Sequence, residues 1–351
     1  MKKHLKNIRR IFSYQEKNMK KIIEEIKKYR QESEVLAFYN PECIGIMNST
    51  KSMFSASISL PELLNPKEII EVAETVAYIN PKQVIFGTMA YGYKELAEYI
   101  HLQNSKIKIK FLWHGSHSMF GYRGEEHFLD QVLELAEKKV ITSIGFLKES
   151  MALFYQEKGY PAYFVENGIE QLSANPKVLL PKKEGHVYVG IYSAGNRWEK
   201  NTFNQLSSVS LLNHAVVDVI PASPLVKDFC KLMNISIRDE KLTYLPRQEL
   251  LNRMSQNDVN LYVTFTECSP VVPLESLEVG VPCLTGNNHH YFKNSKLASY
   301  LIVNSEDSIH EIAKKAQIAI EKKEEILELY QIWKQEYQQE VKEKFKIFME
   351  S

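Results

Sequence analysis

The sequence has little cysteine and no long apolar run. Its four cysteines lie far apart and include no Cys-x-x-Cys pair, which argues against a disulfide framework and a cysteine zinc motif. A reducing cytoplasm fits this cysteine usage. No apolar run approaches the roughly 18 residues that a membrane-spanning helix needs, and no signal-peptide core follows the basic N-terminus. We therefore expect a cytoplasmic protein that is soluble or peripheral at the inner membrane face.

The chain also lacks an excess of either charge. Its 44 Lys and Arg oppose 43 Asp and Glu, a net charge of +1. A protein whose main partner is a polyanion needs a long-range positive field, so nucleic-acid binding is not expected. No G-x-G-x-x-G pattern follows the β-rich runs that begin at Val35 and Val187, so a Rossmann NAD site is not expected either.

Short β-rich runs alternate with helical patterns through most of the 351 residues. Single cores rarely grow past about 250 to 300 residues, so this length predicts two domains. Strands that are separated by helices form parallel sheets through right-handed crossovers. The predicted strands of the first half are 35–39, 84–86, 107–113 and 140–146, and those of the second half are 187–192, 215–220, 242–245, 260–265 and 282–285.

The domain boundaries follow from composition. A polar stretch with lysines and prolines at 175–185 is typical of an interdomain connection. We therefore expect an N-terminal Rossmann-like domain over residues 1–174, with a basic N-terminal helix, and a C-terminal Rossmann-like domain over 186–320. Residues 321–351 have the apolar period of a long helix, which we expect to pack across the two domains.

The N-terminal helix has two interpretations. Residues 1–30 carry apolar side chains at alternating three-and-four spacing and a local charge of +8. One interpretation is an interfacial helix drawn to anionic lipid. The other is a solvated helix whose apolar stripe packs on the protein, where the tail 321–351, with eight Glu and six Lys, offers an acidic partner.

The densest set of polar and turn-forming residues follows the predicted strand 260–265. Glu267 stands at the strand exit and Glu275 lies eight residues later, inside the next helix. In parallel sheets, ligands bind beyond the carboxyl ends of strands. Ser269 and Pro270 can begin that helix, whose free N–H groups favour phosphate. An unpaired carboxylate on a mostly buried helix is costly, which favours a functional role for Glu275.

The two glutamates and the following Gly-Val-Pro at 280–282 resemble the C-terminal domains of retaining GT-B glycosyltransferases, of the family 4-like, bacterial group 1 type. The likeness extends to Ser-Ala-Gly-Asn-Arg-Trp-Glu-Lys at 193–200, to Tyr-Phe-Val-Glu-Asn-Gly-Ile at 163–169 and to His114 at a strand end. It implies an α/β fold of the GT-B class, two Rossmann-like doubly wound domains facing a cleft, with a long C-terminal helix.

The resemblance also implies roles for individual residues. Glu267 and His114 would act at the transferred sugar, and Glu275 would hold the nucleotide ribose. Cations at a helix start oppose the helix dipole unless an anion compensates them, which agrees with the family's use of this position for the donor diphosphate. The remaining implied contacts are Arg197, Lys200 and Gly195 to the diphosphate, the backbone of Ser269, Val271, Val272 and Gly45 to sugar or phosphate, and Leu245 and Pro246 to the base.

No metal site is predicted, because His117, His289 and His290 have no third ligand at suitable spacing. The expected activity is metal-independent transfer of a sugar from a nucleotide diphosphate sugar, with a UDP-sugar favoured, to a glycan, lipid-linked or protein acceptor with retention. No cofactor is expected besides this co-substrate. Two alternatives stay open: a catalytically silent GT-B binding partner of another glycosyltransferase, and a sugar-nucleotide epimerase on the same fold.

Overall fold

The computed structural model describes residues 19–29, 34–63, 65–120, 124–174, 182–193, 197–239 and 245–351. The chain divides into two compact units. The first contains residues 1–167 together with 343–351, and the second contains residues 168–342. Each unit is built on one six-stranded sheet in which every described pairing is parallel. The two doubly wound α/β sheets predicted from the sequence are confirmed.

The sheet of the first unit has the strand order β2-β1-β3-β4-β5-β6. Its central strands are buried on both faces, which accounts for their runs of Val, Ile and Phe. The short strand β2 was not predicted, because its three residues carry no apolar run. The bounds are β1 Val35–Tyr39, β2 Ser57–Ser59, β3 Gln83–Phe86, β4 Lys108–Trp113, β5 Ser143–Phe146 and β6 Ala162–Phe164.

Helices cover both faces of this sheet. The first described helical segment, α1, comprises residues 19–28, and its side chains Met19, Ile22 and Ile26 are buried in the core of the first unit. The apolar stripe of this segment is therefore packed on the protein, whereas residues 1–18 lie outside the described part. The other helices are α2 Ile44–Met53, α3 Pro66–Ile79, α4 Tyr93–Gln103, α5 Glu125–Glu137 and α6 Glu149–Glu157.

The sheet of the second unit has the order β12-β11-β10-β7-β8-β9. The chain builds outward from β7 through β8 and β9, and then returns to the other side of β7 with β10. Strand order therefore reverses between β7 and β10. The bounds are β7 Val187–Tyr192, β8 Ala215–Ile220, β9 Ser236–Ile237, β10 Val259–Tyr262, β11 Cys283–Gly286 and β12 Ile302–Val303.

One predicted strand of this unit, 242–245, is only partly covered by the described residues. Residues 242–244 of the predicted strand 242–245 lie outside the described part, and Leu245 belongs to no strand. The strand that pairs with β8 is β9, which begins at Ser236 and is only two residues long. Such a short pairing has too little alternation to be recognised in a sequence.

The helices of the second unit pack around its sheet, and the last of them is long. Its Ile326 and Tyr330 are buried in the second unit, and its Phe348 is buried in the first. Within the described residues, no helix is both long and apolar enough to cross a bilayer. The bounds are α7 Thr202–Val209, α8 Pro224–Leu232, α9 Arg247–Met254, α10 Val271–Glu278, α11 Leu297–Leu301, α12 Ile309–Glu321 and α13 Lys323–Glu350.

The C-terminal end of α13 is held by polar side chains of the first sheet. Lys110 on β4 is fully buried and donates to the carbonyl oxygens of Phe348 and Met349, the latter at 3.0 Å. Gln83 on β3 donates to the same Met349 oxygen at 3.0 Å. The last carbonyls of a helix have no partner within the helix, and the helix dipole favours a cation there. Burial lowers the pKa of the Lys110 ammonium to about 8.

Candidate functional site

The carboxyl ends of β7 and β10 lie side by side at the strand-order reversal of the second unit. The segment after β7 carries Arg197 and Lys200, and the segment after β10 carries Glu267. Gly195, which was predicted with them, lies outside the described residues. The backbone N–H of Phe265 donates to the Glu199 carbonyl at 2.8 Å, which ties the two segments together.

Lys200 and Glu267 form an ion pair that also includes a tyrosine hydroxyl. The Lys200 ammonium contacts Glu267 Oε1 and lies 3.1 Å from the hydroxyl of Tyr262, the last residue of β10. That hydroxyl donates to the same Oε1 at 2.9 Å. Lys200 is only 5% exposed. Ion pairs and hydrogen bonds in such a water-poor place are strong, and a charge left without its partner there is costly.

The Tyr262 hydroxyl stays protonated at neutral pH. Its burial raises the pKa well above the ordinary value, and the Glu267 carboxylate raises it further. The positive charge of Arg197 acts in the opposite direction, so Arg197 lies within electrostatic range of this hydroxyl. Arg197 itself pairs with buried Glu199, with 2.8 Å between Nε and Oε1. The site thus combines two cations with two carboxylates.

Glu275 lies on α10, and its carboxylate forms an ion pair with an arginine. Arg247, at the start of α9, places its Nε and Nη2 atoms 2.9 and 2.8 Å from Oε1 of Glu275. Its Nη1 donates to Glu170 Oε2 at 2.7 Å. Burial raises the pKa of the Glu275 carboxyl, and Arg247 acts against this rise. A buried carboxylate held by a fork of N–H groups is fixed in orientation, which suits it to accept hydrogen bonds from vicinal hydroxyls.

The start of α10 has no side-chain cap. Pro270 is its N-cap residue and makes no side-chain cap hydrogen bond. The hydroxyl of Ser269 instead lies 2.8 Å from the hydroxyl of buried Tyr291. The first turn, with Val271 exposed and Val272 half-buried, therefore presents amides that favour an anion.

Leu245 and Pro246 immediately precede Arg247. Pro246 is exposed and is the N-cap residue of α9. Leu245 is half-buried and packs, like Val272, on the small apolar cluster of Tyr192, Ile220, Leu251 and Met254. The Leu245 side chain thus holds the start of this segment against the second unit.

Two predicted residues belong to the first unit. His114 follows β4, and its ring is hydrogen-bonded to the backbone of Gly87, while no described residue bonds its buried Nε2. Burial lowers the pKa of His114 to about 4, so the ring is neutral at pH 7 and carries an unshared electron pair on Nε2. Gly45 is the second residue of α2, and a side chain built there would meet nothing within 4 Å. This face of α2 is open.

The histidines at 289 and 290 pack with aromatic rings. His289 accepts from the backbone N–H of Tyr291 at 3.2 Å, and the His290 ring lies against Tyr291 and Tyr337. Among the described residues, no group of three or more His, Cys, Asp or Glu side chains is arranged to hold a metal ion.

Sequence reasoning missed two residues of this site. Tyr262 is one more aromatic residue in a buried strand, and nothing local distinguishes it from its neighbours. Arg247 had a usable signal, because a cation at a helix start needs an anion to offset the dipole. The same argument was applied to Arg197 and Lys200, and at Arg247 the offsetting anions are Glu170 and Glu275.

No family model matches this sequence, and neither does any curated protein. A trehalose-phosphate synthase (UDP-forming) from Burkholderia xenovorans, solved with glucose-6-phosphate, matches with a TM-score of 0.57 and 11% identity, covering 90% of this chain and 99% of its own. A point mutant of TarM from S. aureus, solved with UDP, fondaparinux and alpha-GlcNAc-glycerol, matches with a TM-score of 0.57 and 12% identity, covering 81% of this chain and 59% of its own.

The pneumococcal O-GlcNAc transferase GtfA, solved with UDP and GlcNAc, matches with a TM-score of 0.53 and 14% identity, covering 78% of this chain and 60% of its own. This chain therefore spans nearly the whole synthase but only about three fifths of TarM and GtfA. At such identities the likeness shows the fold alone. The fold of this chain is that of the GT-B glycosyltransferases, as its sequence predicted.

Proposed function

We propose that the protein is a retaining glycosyltransferase that takes a sugar from a nucleoside diphosphate sugar. The observation that carries the proposal is the meeting of Lys200 and Glu267 at the strand-order reversal of a GT-B unit. This is where parallel α/β sheets bind ligands. UDP is the favoured nucleotide, since TarM and GtfA, which share the fold, were both solved with UDP.

On the donor side, Arg197 and Lys200 bind the diphosphate and stabilise the negative charge that grows on it as it leaves. Glu275, oriented by Arg247, accepts hydrogen bonds from the ribose hydroxyls. The amides of Ser269, Val271 and Val272 serve the phosphates or the sugar, and the Leu245 and Pro246 backbone cradles the base. Gly195 and Gly45 let the backbone approach the donor closely.

At the sugar, Glu267 accepts hydrogen bonds from hydroxyls, and neutral His114 offers its second ring nitrogen to another. The bond between the anomeric carbon and the phosphate oxygen breaks, and the acceptor oxygen bonds to the same face of that carbon. The hydroxyl proton passes to the departing phosphate oxygen, so no side-chain base is required. The acceptor is a glycan, a lipid-linked sugar or a protein.

The proposed reaction needs no metal, because the two cations and the α10 amides neutralise the diphosphate. The proposal places the enzyme in the cytoplasm, which agrees with its four free cysteines. Contact of the basic side chains of residues 1–30 with an anionic inner membrane face is part of the proposal for lipid-linked acceptors, while the apolar side chains of 19–28 stay buried in the first unit.

A thermal-shift screen of nucleotides and sugar nucleotides tests the proposal. A ligand at one hundred times its dissociation constant adds about 2.7 kcal/mol to the free energy of unfolding. We expect UDP and one UDP-sugar to raise the melting temperature, and that sugar to be transferred to an acceptor. No shift with any nucleotide would indicate a catalytically silent binding partner. Isomerisation of the sugar nucleotide without an acceptor would indicate an epimerase.

A further inference from the structure

The Lys200 ammonium, which would bind phosphate, pairs with a carboxylate of the protein itself. Lys200 is nearly buried and contacts Glu267, whose side chain is 15% exposed. A diphosphate that binds Lys200 must therefore compete with a carboxylate of the protein itself. Once Lys200 turns to phosphate, Glu267 loses this cation, and its orientation then depends on its remaining partners, of which Tyr262 is one.

We propose that Glu267 is the internal counter-ion of Lys200, that the donor diphosphate displaces it, and that Tyr262 is the positioning residue that keeps Glu267 aimed at the sugar after this exchange. The inference rests on the proposed function and adds an order of events to it: phosphate binding releases the carboxylate that the sugar then engages.

The geometry gives Tyr262 this role. Its hydroxyl donates directly to Glu267 Oε1 at 2.9 Å, without passing through Lys200. The same hydroxyl accepts from the Lys200 ammonium at 3.1 Å, and the ammonium lies 5.4 Å from the centroid of the Tyr262 ring. The ring face favours a cation there whichever anion it pairs with. Tyr262 thus contacts both partners and can keep each in place while they separate.

The protein contains a matched control for this arrangement. In the same unit, Lys334 lies 2.5 Å from Oε1 of Glu278, and the hydroxyl of Tyr330 donates to that atom at 2.7 Å. The three residue types and contacts to one carboxylate oxygen repeat those of Lys200, Glu267 and Tyr262. Glu278 is the last residue of α10, at the opposite end of that helix from the first turn that follows β10, and Lys334 and Tyr330 lie on α13.

The first test uses inorganic pyrophosphate and isothermal titration calorimetry in excess chelator. If Glu267 competes for Lys200, then Glu267→Gln should bind pyrophosphate more tightly, by on the order of tenfold, because a larger fraction of the protein has its ammonium available. Lys200→Met should weaken binding. The gain from Glu267→Gln should vanish in the Lys200→Met background, since the competition acts through Lys200. Glu278→Gln should leave the affinity unchanged.

The second test separates binding from turnover. Tyr262→Phe removes one oxygen and keeps the ring, so pyrophosphate affinity and the KM for the donor should change less than twofold. The turnover number should fall about tenfold or more, because Glu267 loses the hydrogen bond that aims its carboxylate. Tyr330→Phe should change neither quantity. The positioning role would be overturned if Tyr262→Phe kept the wild-type turnover number and lost only as much stability as Tyr330→Phe.

The outcomes distinguish this inference from the proposed function. If the wild-type protein binds neither pyrophosphate nor UDP, the proposed function fails and the inference fails with it. If wild type binds and Lys200→Met binds more weakly, but Glu267→Gln binds no more tightly than wild type, the counter-ion role alone is overturned.

Discussion

Arg253 on α9 donates hydrogen bonds to both carboxylate oxygens of Asp218 on β8, and both side chains are buried. Asp218 also accepts from the hydroxyl of Tyr192, the last residue of β7, at 2.9 Å. Arg253 reaches outward to Asp239 at 2.8 Å. This polar network fixes α9 against the sheet, and α9 in turn carries Arg247 at its first turn.

Removing Arg253 from its buried ion pair with Asp218 should lower the free energy of unfolding. Arg253→Met leaves the Asp218 carboxylate buried without its cation, and we expect the free energy of unfolding to fall by about 3 to 5 kcal/mol. Urea unfolding followed by circular dichroism measures it. Lys322→Met is the control, because its exposed pair with Glu325 should contribute less than about 1 kcal/mol. Equal losses of unfolding free energy in Arg253→Met and Lys322→Met would contradict the stabilising role of the buried ion pair.

The two glutamates of the site should differ in the kind of defect that they cause. Glu275→Gln should weaken UDP binding about 10- to 100-fold, the range of a charge-assisted hydrogen bond to the ribose, with a smaller effect on turnover. Glu267→Gln should instead reduce turnover. Glu278 lies on the same helix with a nearly buried side chain, so Glu278→Gln serves as the control. Wild-type UDP affinity in Glu275→Gln would remove this residue from the nucleotide site.

Arg247 should act on nucleotide binding through Glu275. Arg247→Met takes away both N–H groups that orient the carboxylate, so we expect UDP affinity to fall about tenfold. Arg247→Lys should restore little, since an ammonium cannot reproduce the fork. Calorimetric titration with UDP measures both variants. Wild-type UDP affinity in Arg247→Lys would show that a positive charge alone is enough to orient Glu275.

His114 should make the first unit sensitive to acid. Its pKa is about 4 in the folded chain against 6.5 for the free side chain. Between these values the unfolded chain binds a proton that the folded chain does not bind, so the free energy of unfolding falls as the pH drops from 6.5 to 4. From pH 7 to pH 5 the loss is about 2 kcal/mol.

The measurement is urea unfolding at pH 7 and pH 5 for wild type and His114→Gln. The variant should lose less stability on acidification than wild type does, by the same amount. His310→Gln, at an exposed position, should follow wild type. If wild type and His114→Gln lose the same stability, the histidine is not the source of the sensitivity.

Transfer should not require a divalent ion. In the proposed reaction, Arg197, Lys200 and the amides of α10 supply the positive charge that a metal supplies in other transferases. With the donor sugar identified, initial rates in excess chelator should equal those without it. An absolute need for added magnesium or manganese would contradict this and would require ligands beyond those recognised in the sequence.

The sequence predicted the elements whose signal is local. The buried strands β1 and β7 stood out by their runs of apolar residues, and α13 by the period of Ile326, Tyr330 and Phe348. It also selected Glu267, which follows a buried strand, and the family resemblance added Lys200. Pairings between distant residues left no local trace. Lys200 with Glu267, and Arg253 with Asp218, are separated by 67 and 35 positions.

The first unit is assembled from two distant parts of the chain, and this has a consequence for its synthesis. Lys110 takes its carbonyl acceptors from Phe348 and Met349, which a ribosome makes after the whole second unit. Until then, a lysine in the middle of β4 has no acceptors at that place, and a buried ammonium without acceptors costs several kcal/mol. The half of the protein that is translated first is therefore the half that is completed last.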